Sequence, residues 1–94
     1  MMVRVVRFTF GPGKLDKAQA LSDDLTPAIS ALEGCQGVTV FGDDFDGEYG
    51  LFVLWDSQEH ADAAARVIGP QLQKHLKGNV TKPPERRLFP VLSS

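Results

Sequence analysis

The chain is poor in the residues that active sites and scaffolds most often use. Among 94 residues there are one cysteine, one tryptophan, one tyrosine and two histidines. A single thiol, Cys35, allows no internal disulfide, and nothing else argues for secretion. His60 and His75 stand fifteen residues apart and Cys35 has no nearby partner, so no metal-ligand spacing emerges. No run approaches the roughly 18 apolar residues needed to cross a bilayer. The first residues, Met1 to Arg7, carry charges inside their apolar run and no small-residue cleavage site. These absences set the expectation of a cytoplasmic protein with no metal, no cofactor and no membrane association.

Familiar motifs fail on spacing. Gly11-Pro12-Gly13-Lys14 precedes a helix but lacks the Ser/Thr and longer glycine spacing of a phosphate loop. In the acidic stretch from Asp43 to Glu48, taking Asp44 as first calcium ligand puts Tyr49 where the invariant glycine belongs. Charge is uneven: residues 1–65 hold four Lys/Arg against eleven Asp/Glu, and residues 66–94 hold six against one. The basic residues have no interleaved aromatics, which argues against nucleic acid. A basic tail of this kind serves solvation, an anion site or contacts between subunits.

What is present is a strong apolar strand, Tyr49-Gly50-Leu51-Phe52-Val53-Leu54-Trp55. Successive strand side chains point to opposite sides, so a strand with one wet face alternates apolar and polar. This one does not, and both its faces are expected to be covered, one by helices and the other by a second copy of the chain. Val3 to Phe10 reads as another strand, with Val3, Val5, Arg7 and Thr9 on one face and Arg4, Val6, Phe8 and Phe10 on the other.

From Lys14 to Glu33, Leu15, Ala18, Leu21, Leu25, Ile29 and Leu32 recur at helical spacing. A kink is expected at Pro27, with Thr26 capping a restarted helix, and a stop at Gly34. Gly37 to Phe41 is a strand, and Asp46-Gly47 suits a tight hairpin turn. After the apolar strand, Asp56-Ser57-Gln58-Glu59 opens a helix in capping-box fashion. Ala61, Ala64, Ala65 and Ile68 give that helix a small-residue face suited to close approach. Gly69-Pro70 is expected to break it before a second short helix to Lys77, and Arg86 to Leu92 forms the last strand. The order β-α-β-β-α-β defines an α+β, ferredoxin-like domain spanning 1–94 with a four-stranded antiparallel sheet.

Trp55 ends the central strand beside a helix start, a frequent pocket wall, and serves there as a pocket residue or as core filler. Tyr49 shares its strand face, but about 20 Å away. His75 lies on a helix face with Leu72. Arg7 sits on the Val3–Val5 side, as an interface charge, a ligand contact or a simply exposed residue near the strand end. The catalytic candidates are therefore Trp55, His75 and Tyr49, and the ligand-binding candidates are Trp55, Arg7, Phe8 and Leu72.

In these segments the chain resembles the dimeric α/β-barrel superfamily, and most closely its antibiotic-biosynthesis-monooxygenase branch. The resemblance runs through Val3–Phe10 with its Gly-Pro-Gly, the Pro27-bearing helix closed by Glu33-Gly34, and Phe52-Val53-Leu54-Trp55-Asp56-Ser57-Gln58-Glu59-His60-Ala61. It implies a homodimer whose sheets pack face to face into a barrel, with a ligand pocket between sheet and helices in each subunit. It also implies oxygenation of electron-rich aromatic or quinol-type metabolites without metal or flavin, or, in another branch, haem degradation. Trp55 matches the pocket tryptophan. Val6 stands in place of the first-strand asparagine, and Ala65 and Arg66 stand where a haem-ligating histidine would fall, so haem degradation is not expected. The alternative is a small-molecule-binding or structural dimeric module without catalysis.

Overall fold

The computed structural model describes residues 1–94. Its elements are β1 (Met2–Thr9), α1 (Leu15–Ser30), β2 (Cys35–Asp43), β3 (Glu48–Trp55), α2 (Gln58–Leu76) and β4 (Glu85–Pro90). The strands form one antiparallel sheet in the order β2-β3-β1-β4. Two helices on one side complete the ferredoxin-like fold. No helix is long and apolar enough to cross a membrane.

The register sorts the strand side chains into two faces. Val6 pairs with Leu51, Phe8 with Tyr49 and Arg4 with Val53, and these residues face the helices. Val5 pairs with Phe52, Val3 with Leu54 and Arg7 with Gly50, on the other face. Against the first face α1 buries Ala18, Leu21, Leu25 and Ile29, and α2 buries Ala61, Ala64, Ile68, Leu72 and Leu76. Each fully buried leucine or isoleucine contributes at most about 1.5–3 kcal/mol. The second face has no cover within the chain: Phe52 and Phe41 remain 44% and 45% exposed.

Three local expectations are corrected. Gly69-Pro70 does not break α2, which runs without interruption from Gln58 to Leu76. Proline removes one backbone bond, but Gly69 has no Cβ to meet the proline ring. Burial of Ile68, Leu72 and Leu76 on one stripe outweighs the remaining cost. Pro27 likewise sits inside α1 between the buried Leu25 and Ile29, without a restart at Thr26. The β2–β3 connection spans residues 44–47 rather than two residues. Asp43 accepts from the Phe45 N–H at 2.8 Å and Asp46 from the Glu48 N–H at 3.1 Å. Gly47 closes the loop at φ +76°, where a Cβ would strike the Gly11 backbone.

The α2 N-terminus also differs in detail. Ser57 is the cap, accepting from the His60 N–H at 3.2 Å. Residue 60 is therefore the position from which a capping box reaches back, and it is a histidine. Its Nδ1–H donates to Asp56 at 2.6 Å instead. Gly34, at φ +87°, is packed so closely that a Cβ would collide with the His60 and Asp56 side chains.

Candidate functional site

Trp55 closes β3 between Met2 of β1 and Cys35 of β2 in the register and is 3% exposed. Beside it the sheet and α2 enclose a recess. Val6, Leu51, Val53 and Trp55 form its floor, and Ala61, Ala64, Ala65 and Gly69 of α2 form its roof. Ile29, Ile68 and Leu72 close the sides. The small residues that suggested close helix approach are the ones whose short side chains leave this space open. The centre of a water-sized sphere can move through about 40 Å³ of it. Counted out to its open mouth, the recess is about 420 Å³.

Only three side chains of the lining carry polar atoms: Arg4, Trp55 and Arg86. All three are donors and none can accept. The Trp55 indole N–H takes part in none of the side-chain hydrogen bonds of the protein, although the residue is almost wholly buried. The nitrogen is not fully sealed either, since no buried side-chain N or O atom lacks a partner. A buried tryptophan normally finds a partner for this group. Here the donor has no protein partner, and the residue that carries it lines an apolar recess.

At the mouth Arg4 stands 3.6 Å from Asp62. Burial, and next the neighbouring Arg86, push the Arg4 pKa below the ordinary arginine value, while Asp62 works in the opposite direction. The group stays a cation, because a guanidinium holds its proton in proteins. Arg86 has no carboxylate within ion-pair distance. The site therefore carries more positive than negative charge over an apolar floor.

Of the residues singled out in the sequence, Trp55 and Leu72 meet in this recess, and the others lie elsewhere. Phe8 stacks on Tyr49, and both pack at a tilt against Phe10, at the far end of the sheet. The Tyr49 hydroxyl donates to Asp44 at 3.4 Å, and burial first, then Asp44, raises its pKa. Tyr49 thus stays protonated at neutral pH. His75 joins the helices from outside, its Nε2–H donating to Asp24 at 2.7 Å. That bond, with one from Gln71, holds the Asp24 carboxyl below the usual range. Arg7 is on the uncovered sheet face, paired with Glu48 at 3.1 Å.

Arg4 and Arg86 were not singled out in the sequence. A signal existed for the first: Arg4 is the charged residue on a strand face otherwise made of Val6, Phe8 and Phe10. Arg86 has no such signal, because only β1–β4 pairing, with Val6 opposite Arg86 and Arg4 opposite Leu88, brings it to the same place.

Comparison with known proteins agrees with this architecture. The family model described as antibiotic biosynthesis monooxygenase matches residues 1–66. Rv0793 from Mycobacterium tuberculosis superposes with a TM-score of 0.83 at 19% identity, covering 99% of this chain and 96% of that one. A putative antibiotic biosynthesis monooxygenase from Nitrosomonas europaea gives 0.84 at 12%, with 99% and 100% covered. SnoaB from Streptomyces nogalater, described as a cofactor-independent oxygenase, gives 0.79 at 19%, with 99% and 94% covered. At these identities the structures speak for the fold. No curated protein sequence matches the chain.

Proposed function

We propose that this chain, which belongs to the antibiotic biosynthesis monooxygenase family, oxygenates a small aromatic or quinol-type metabolite without metal or flavin, in the cytoplasm and as a homodimer. The observation that carries this reading is an apolar recess lined by Trp55, a nearly buried tryptophan whose indole N–H has no partner in the protein. An electron-rich ring that has lost a proton supplies all the electrons that oxygen needs. One oxygen atom enters the substrate in place of two hydrogens, and the other leaves as water. The chain's part is to keep the reacting carbon dry, to orient it against Leu72 and the α2 alanines, and to donate from Trp55 to the developing oxyanion. No general base lines the recess, so the substrate proton leaves through the open mouth to solvent.

Homodimerisation is supported by the uncovered sheet face. Val3, Val5, Phe52, Leu54, Phe41 and Phe89 share it, with Arg87 lying 4.6 Å over the Phe89 ring and the Arg7–Glu48 pair near one end. An apolar face of this extent is expected to be buried by a partner, and two such sheets packed together make a barrel.

The second reading, a dimeric module that binds a small molecule without turnover, is favoured by one feature. His75 and Tyr49, the titratable candidates for acid–base work, both stand outside the recess. Oxygen consumption with a panel of dihydroxy-aromatic compounds decides between the two. Trp55→Phe keeps the ring and removes the donor. Uptake that drops about tenfold or more in this variant supports the oxygenase; uptake indifferent to it sinks that reading, and saturable binding without uptake establishes the second.

A further inference from the structure

We infer that the ligand of this recess is an anion: an apolar ring system bearing a carboxylate, held between the guanidinium groups of Arg4 and Arg86. The inference rests on the recess being the ligand site, and it adds what the ligand must carry. Its basis is an imbalance. The polar side-chain atoms of the lining are donors throughout, and two of the three groups are cations.

Arg4 and Arg86 lie on one face of adjacent strands, as diagonal neighbours within reach of long side chains. Like charges brought together beside an apolar wall repel one another unless something negative lies between them. Asp62 answers only Arg4, from 3.6 Å, and Arg86 has no acid partner. The floor beneath is formed by Val6, Val53 and Trp55 and is suited to a ring. A guanidinium presents a planar fork that matches a carboxylate through two parallel hydrogen bonds, which a neutral amide cannot reproduce. The positive mouth also draws an anion in from solution.

The test compares two probes of one shape, 2-naphthoate and 2-naphthamide, by following the single indole ¹⁵N–H signal of Trp55 during titration. The carboxylate is expected to bind about tenfold or more tightly than the amide. The gap should narrow with added salt and collapse in Arg86→Gln, a change at an exposed position on an edge strand that leaves the core intact; Arg4→Gln should act in the same direction. Equal binding of the two probes, or a gap that survives both variants, overturns the anion inference and leaves the recess as the ligand site. An indole signal unmoved by either probe at millimolar concentration overturns both. Loss of the oxygen-uptake result with the gap intact removes the oxygenase reading alone.

Discussion

The Arg4 guanidinium stands 3.6 Å from the Asp62 carboxylate, with Arg4 partly buried and Asp62 half exposed. The pair sits on the rim of the recess, so Asp62 competes with any anionic ligand for the same cation. Asp62→Asn is therefore expected to tighten 2-naphthoate binding by roughly threefold and to leave 2-naphthamide unchanged. The effect on stability should stay below about 1 kcal/mol, as for other partly exposed pairs. Parallel titrations and denaturant melts read the two quantities separately. Weakened binding of the carboxylate would show that Asp62 positions Arg4 rather than competing with the ligand.

Filling the recess should separate the site from the fold. Ala65, half-buried on α2, lines the space, and Ala65→Leu grows into it rather than into packed core. Stability is expected to change by about 1 kcal/mol or less. Ligand-induced movement of the Trp55 indole signal should vanish, and oxygen uptake with it. A variant that folds normally and still binds both naphthalene probes would place the ligand elsewhere.

The uncovered face of the sheet makes its own prediction. Sedimentation at micromolar concentration is expected to give twice the 10.3 kDa chain mass. Phe52 lies in the middle of that face, opposite Val5 on β1 and Thr39 on β2. Phe52→Asp would put a charge into the buried centre of the interface, at a cost of several kcal/mol. The variant should sediment as one chain, with a lowered Tm that no longer rises with protein concentration. A wild-type mass of one chain would contradict the dimer.

The parts of this molecule that the sequence made legible are those fixed by local periodicity. The α1 stripe from Ala18 to Ile29 and the alternation along Val3–Phe10 required no knowledge of what they pack against. The continuity of α2 through Gly69-Pro70 was not legible, because a local proline cost is weighed against the burial of Ile68, Leu72 and Leu76, a tertiary quantity. The candidate site divides in the same way. Trp55 and Leu72 stand out by type and position, whereas Arg4 and Arg86 come together only through strand pairing. Tyr49 and His75 drew notice for their chemistry, but a strand length and a helix face separate them from the recess.

Outside the site, His60 and Asp56 form a close pair whose effect depends on pH. The Asp56 hydrogen bond is the main cause of a raised His60 pKa; burial opposes it, and the charges of Asp56, Glu33 and Glu59 add to it. The same bond is the main cause of the lowered Asp56 pKa. Because the folded histidine value lies above the unfolded one, about 6.5, its contribution to stability is fully present below that pH. It is lost as pH rises through the folded value. The Asp56 contribution has the opposite sign: present above the ordinary carboxyl value, lost as pH falls through the depressed one. The pair therefore supports the fold most in mildly acidic solution, between the two limits. A proton NMR titration of the His60 ring should give a midpoint above 6.5, returning toward it in Asp56→Asn. Denaturant midpoints should then show a fall as pH rises from about 6.5 through the raised His60 value, smaller in Asp56→Asn than in the wild type. A wild-type His60 midpoint at or below 6.5 would mean that the pair does not hold the proton in solution.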